Sequence, residues 1–297
     1  MTMQSKNGRY YLSRVIKLGL LTQDKLISAI LNAPVLPIGK FEWAITDVHD
    51  GQTEPTPFVF GKLAKYSREG HVTVVDPDRK SQVEAIAPNL LVASAPFVYL
   101  PEFSGLAFLH VWNGIQEELF PKRFSSLIQA AYHDFFVECS VEPVADYRAF
   151  AEKIEGLDRI KELSAKVHPP NPLFGHLWAS LKDYLKMRNA SEVAIKESEV
   201  DQQGLHSSLA ELLRKILENP NYQPTETPAM TDAALLMAAD GYGRGKVIGV
   251  DGNVDVVIRT SDTQKSFLFR KEPFPPDLAR EAARNFSRIS DERGMTH

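Results

Sequence analysis

The stretch Lys246-Val247-Ile248-Gly249-Val250-Asp251-Gly252-Asn253-Val254-Asp255-Val256-Val257-Ile258-Arg259 decides how the C-terminal quarter is read. Two β-branched runs flank Asp-Gly-Asn, and a two-residue hairpin loop needs positive φ, which glycine supplies without a Cβ clash. With Gly252-Asn253 as the turn, Lys246 stands opposite Arg259 on one face and Val247 opposite Ile258 on the other. A three-residue turn would separate the two cations, and a slip of one residue would exchange the faces. Gly241-Tyr242-Gly243-Arg244-Gly245 precedes the hairpin and a third strand over 266–271 follows it, so a basic β-meander is expected. Its candidate nucleic-acid-binding residues are Arg244, Lys246, Arg259, Arg270 and Lys271 for phosphates, with Tyr242 either to stack on a base or simply to close the turn. A short helix over 233–239 ends at the glycine-rich turn, and a helix C-terminus disfavours anions, so the glycines do not form a P-loop.

Working outward, the pattern gives an α+β fold with mixed or antiparallel sheets and packed helices. Residues 1–118 read as a strand-rich N-terminal domain, with strands over 10–17, 41–48, 58–66, 71–75, 89–95, 97–100 and 106–112 and one helix over 22–31. Ser67-Arg68-Glu69-Gly70 reads as a loop. Residues 119–218 form a central α+β domain that opens on a helical stripe of Phe120, Phe124, Leu127, Ile128, Ala131 and Phe135. Strand 137–142, helix 145–154 and strand 160–167 follow in that order. Parallel, neighbouring strands would make this half of a ferredoxin-like unit with a right-handed crossover, whereas an antiparallel placement puts another strand between them. His168-Pro169-Pro170-Asn171-Pro172 stops the second strand, and Asn171 caps a helix with Phe174, Leu177, Trp178, Leu181 and Leu185 on its buried stripe. A strand over 191–197 and a helix with Leu205, Leu209, Leu212, Leu213 and Ile216 complete the domain. Residues 219–230 are a proline-rich linker, and 231–297 hold the meander and a terminal helix, packed on the central domain. On that helix Arg280, Arg284 and Arg288 lie within pairing distance of Asp277, Glu281 and Glu292, so a solvated, salt-bridged face is expected.

Composition narrows the function classes. Hydrophobic residues make up 43% and charged residues 24% of 297, which fits an ordinary globular chain. No apolar run reaches the roughly 18 residues of a membrane helix, and the first residues lack the apolar stretch of a secretion signal. Cys139 is the single cysteine, so no internal disulfide and no thiolate set for zinc are expected, and the expected compartment is the cytoplasm. The net charge of −4 divides unevenly: residues 241–297 carry ten Lys or Arg against eight Asp or Glu, leaving −6 for residues 1–240. Polyanion binding is therefore expected to be local.

Signals for catalysis fail on geometry. His133-Asp134 is a lone pair without the further ligands a phosphohydrolase centre needs. Asp251, Asn253 and Asp255 begin like a calcium loop, but the glycine is misplaced and the twelfth position is Asp262 where a glutamate is required. Asp255 is not followed by the acid-x-lysine spacing of a restriction-type nuclease core. No cofactor, no metal site and no catalytic residue is nominated.

Val137-Glu138-Cys139-Ser140-Val141-Glu142, Leu157-Asp158-Arg159-Ile160 and Val167-His168-Pro169-Pro170-Asn171-Pro172 resemble the central signature of an uncharacterised bacterial family, catalogued as a domain of unknown function and met beside phage and mobile-element genes. The resemblance extends through Met237-Ala238-Ala239-Asp240-Gly241-Tyr242-Gly243 and Lys246-Val247, with Phe41-Glu42-Trp43 fitting its layout. Element order is also loosely similar to the phage lambda exclusion protein, a DNA-binding factor that excludes other phages. The resemblance implies a phage-defence setting and carries over no catalytic residue. The expected function is nucleic-acid binding, DNA or RNA, through the C-terminal basic surface. The alternatives are a metal-dependent nuclease assembled from distant acids, or a protein-binding sensor or adaptor of a defence system, with a homodimer seam on exposed strands.

Overall fold

A computed structural model describes residues 6–133, 135–169 and 178–295. Asp134, Pro170, Asn171, Pro172, Phe174 and Leu177, named above, lie outside the described residues. Twelve strands and seven helices follow in chain order. They are β1 (Asn7–Gly19), α1 (Gln23–Leu31), β2 (Leu36–Ile38), β3 (Phe41–Gly51), β4 (Phe58–Asp76), β5 (Ser81–Leu100), β6 (Gly105–Leu109), α2 (Leu119–Ala130), β7 (Val137–Pro143), α3 (Tyr147–Glu155), β8 (Arg159–Val167), α4 (Ala179–Arg188), β9 (Val193–Ser198), α5 (Leu209–Glu218), α6 (Met230–Met237), β10 (Gly243–Asp251), β11 (Val254–Arg259), β12 (Ser266–Arg270) and α7 (Pro275–Glu292). The fold is α+β with antiparallel sheets. Among the described residues no helix is long and apolar enough to cross a membrane.

Strand β1 organises the larger sheet, ordered β12-β1-β6-β5-β4-β3-β2. One edge of β1 pairs with β6, and the other takes β12 along residues 7–11 and β7 along residues 13–19. The segments 119–218 and 231–297 thus each place a strand in the sheet that the first segment builds. Alternation along β1 sends Tyr10, Leu12 and Ile16 into one core, with α7 and the helices of the smaller sheet. Val15 goes to the opposite face, into a core with α1 and α2.

The smaller sheet is ordered β11-β10-β8-β9. Its buried face carries Leu163, Ala165, Val167, Val247 and Ile258, packed against residues of α3, α5 and α6. The strand-helix-strand segment is therefore not a ferredoxin-like unit, because β7 joins the larger sheet and β8 the smaller. Nor is β4 interrupted at 67–70: it runs through as one strand paired with β5 from Val59↔Tyr99 to Asp76↔Ser81. The β-branched run at 72–75 continues the ladder, Leu90 packs over Gly70 where a Cβ would sit, and Asp76 Oδ1 closes the far turn by accepting from the Asp78 and Arg79 amides. Phe135, expected on the α2 stripe, is 72% exposed because the helix ends at Ala130.

Candidate nucleic-acid interface

The hairpin forms in the two-residue register, with Lys246↔Arg259, Val247↔Ile258 and Asp251↔Val254. Gly252 sits at φ 62°, the positive first position of a tight turn. Because β8 and β9 continue the ladder, Lys246 also pairs with Ser164 and Ser164 with Lys196. Directly paired residues share a face, so Arg259, Lys246, Ser164 and Lys196 form one polar row across all four strands. Arg244, Lys166 and Ala194 form the next row. The other face of the same strands is apolar and covered, which leaves these rows as the open face.

This face is the floor of a groove of about 1050 Å³. Its far wall is β1, through Arg9, Tyr11 and Ser13, and the first turn of α2 with the residues before it, from Glu117 to Lys122. The turn at 260–264 closes one end. The lining holds seven cations, Arg9, Lys122, Lys166, Lys196, Arg244, Lys246 and Arg259, against the four carboxylates of Glu117, Glu118, Glu142 and Asp262. The lining alone thus has a formal excess of three positive charges in a chain whose net charge is −4, and the flanking carboxylates Glu162 and Glu192 bring the local balance to one.

The pairing within the groove decides which cations are available. Arg244 Nε donates to both oxygens of Glu142, at 2.9 and 3.1 Å, and this buried carboxylate holds the guanidinium pKa above its ordinary value. Glu162, two residues from Ser164 on the same face of β8, is shared by two lysines: Oε1 meets Lys246 Nζ at 2.8 Å and Oε2 meets Lys196 Nζ at 2.7 Å. The hydrogen bonds from Lys196 and then Lys246 hold the Glu162 carboxyl below its usual range. Lys166 pairs with Glu192, and Arg9 donates to Ser266 Oγ. Asp262 Oδ2 accepts from the Arg259 amide, and Glu117 Oε2 lies close to His110 Nδ1. Arg9, Lys122, Arg259 and one net charge of the Lys196–Glu162–Lys246 triad remain without a carboxylate partner among the described residues.

The six residues expected from the sequence divide into three groups. Arg244, Lys246 and Arg259 converge in the groove. Arg270 and Lys271 lie outside its lining, although Arg270 is paired with Asn7 and so shares the sheet face of Arg9, farther along. Tyr242 is fully buried and does not meet solvent. Its ring packs edge-on against Trp178 with centroids 5.7 Å apart, and the Arg14 guanidinium lies 5.1 Å from its centroid. The expected stacking role fails because the turn residues 238–242 are drawn into the core.

The reason is the neighbouring Asp240, a buried carboxylate that no charge-run argument singles out. It accepts from Tyr147 OH at 2.6 Å, Trp178 Nε1 at 2.8 Å and Arg293 Nη1 at 2.8 Å, while its carbonyl accepts from Arg14 Nε at 2.8 Å. Four distant segments are thereby tied at one point, and the carboxylate's charge is met by a buried Arg293. This network positions the start of β10, and with it the floor of the groove.

Lys166 and Lys196 were legible in principle: each alternates with buried or half-buried neighbours, Ala165 and Val167 on β8 and Ile195 on β9. Arg9 and Tyr11 carry no such signal, since their place depends on β1 pairing with β12 and β7 from far along the chain. Arg280, Arg284 and Arg288 each have an acidic partner on their own helix, Asp277, Glu281 and Glu292, as the spacing implied. Among the described residues no three His, Cys, Asp or Glu side chains are placed to hold a metal ion.

The family described as a domain of unknown function, DUF4747, matches residues 25–277, and the chain belongs to it. The matched segment includes β8 to β12, and excludes the Arg9 and Tyr11 wall. No curated protein matches the chain.

Proposed function

We propose that the protein binds nucleic acid in the groove between β1 and the open face of the four-stranded sheet. The observation that carries this reading is the convergence of seven cations from six separate segments on one concavity, with an excess of three over the carboxylates of the lining. Phosphates are the ligands for which such a row is suited, since each cation neutralised releases counterions and contributes without reading sequence. Four cationic charges are left for the backbone, and the paired Arg244 and Lys166 are part of the floor. The Lys122→Gln/Arg259→Gln double variant removes two of those four charges at exposed side chains, so folding is preserved. Binding to a labelled oligonucleotide, followed by anisotropy in low salt, should weaken at least about tenfold for the variant, on the scale of about 1 kcal/mol per lost phosphate contact. Equal affinity of the two proteins sinks the proposal. The setting we propose, phage resistance, rests on the family resemblance. Plating of phage on bacteria carrying the intact or the double-variant gene tests it, with protection expected only from the intact gene.

A further inference from the structure

A cationic floor alone grips any polyanion, and the groove has a second component that selects among them. Tyr11 lines the wall between Arg9 and Ser13, half-buried, its ring 6.2 Å from Phe108 and 6.0 Å from His110. His110 is in turn 5.7 Å from Trp112, and its amide donates to Arg9 O at 2.9 Å. Trp112 stands on the short loop between β6 and α2 and is 76% exposed. The other two tryptophans, Trp43 and Trp178, are buried. An aromatic file thus leads from Tyr11 in the groove wall through His110 to the exposed Trp112, which stands beyond the groove lining.

Resting on the proposed phosphate grip, we infer that the occupant is a single-stranded nucleic acid, with phosphates on the sheet face and bases stacked on Tyr11 and Trp112. Charged grooves with successive stacking platforms are how unpaired strands are held without sequence preference, because every base has a π-face. A duplex buries those faces and offers its aromatic platforms nothing. Size agrees: about 1050 Å³ slightly exceeds the roughly 300–1,000 Å³ that encloses a small ligand. That is room for a few unstacked nucleotides.

The test uses the full chain, an oligo(dT) of about ten nucleotides, within the site sizes known for such grooves, and a blunt duplex of equal length. Trp112 is the only exposed indole, so its stacking reports directly as quenching of intrinsic fluorescence. Expected are quenching by oligo(dT), tighter binding of oligo(dT) than of the duplex, and a Trp112→Ala variant that loses the quenching and at least about fivefold in affinity at an unchanged salt slope. A Tyr11→Phe variant, which keeps the ring, should bind as well as the parent, while Tyr11→Leu should not. Duplex binding equal to oligo(dT) binding, or salt-dependent oligo(dT) binding with no quenching and no effect of Trp112→Ala, overturns the single-strand inference and leaves the phosphate grip standing. Failure of both nucleic acids to bind in low salt overturns the grip itself.

Discussion

Replacing Glu162 by Gln should tighten nucleic-acid binding while costing the fold little. One carboxylate holds two lysines, with Oε1 on Lys246 at 2.8 Å and Oε2 on Lys196 at 2.7 Å. The amide removes one negative charge, so the trio goes from one net positive charge to two, and both ammonium groups become free to meet phosphate. A charge removed at this distance from a bound phosphate near the surface is worth about 1 kcal/mol in a water-like dielectric, or about fivefold in affinity. One added phosphate contact also steepens the salt dependence for a single strand by about 0.7. The lost ion pairs contribute about 0.2–1 kcal/mol each at partly exposed sites, so the melting temperature should fall by a few degrees at most. Anisotropy titrations over a salt series, paired with thermal melts, read all three quantities. A variant that melts near the parent and binds no tighter at any salt would refute the placement of phosphate on the Lys246–Lys196 row. Acid titration gives the same perturbation without mutation. Because the Glu162 pKa is held below its usual range, its contribution to stability is present above the ordinary glutamate value and is lost as pH falls through the lowered one, and binding should tighten over that window.

Three further outcomes follow from particular contacts. Asp240→Ala leaves Arg293 buried without its carboxylate and strips acceptors from Tyr147 and Trp178, so chemical denaturation should show a loss of about 3–5 kcal/mol. Gly243→Ala should weaken binding and stability together, because the new Cβ would sit 2.1 Å from Lys166 O and force β10 away from β8 at the floor of the groove. Lys17 is held at about pKa 8 by burial, with Gln23 Oε1 and Ser104 Oγ as hydrogen-bond acceptors. Its charged form is disfavoured in the fold, so the destabilisation is present below pH 8 and is relieved as pH rises from 8 towards the unfolded value of 10.5. Denaturation of the parent and Lys17→Met across that window should show a rise in stability for the parent relative to the variant, and parallel curves contradict the assignment.

Local patterns made the C-terminal hairpin legible but left its register open between a two-residue and a three-residue turn, and the structure takes the two-residue turn at Gly252, which sets Lys246 opposite Arg259. Helix α1, and the paired arginines of α7, were readable because their determinants lie within one turn of the chain. Failures came where a distant partner decides. Strands β7 and β8 are consecutive yet enter different sheets, because β1 offers β7 an edge that no local pattern reveals. Tyr242 looks like a surface aromatic amid glycines, but Asp240 anchors the turn in the core through Arg293, more than fifty positions away. The aromatic side chain that lines the groove is instead Tyr11.

The most direct test of the central claim is the slope of log affinity against log salt for oligo(dT) binding to the intact chain. Four available cationic charges predict a slope of about −3 for a single strand, reduced by about half in the Lys122→Gln/Arg259→Gln variant. A flat response, or a slope that the double variant leaves unchanged, contradicts the account.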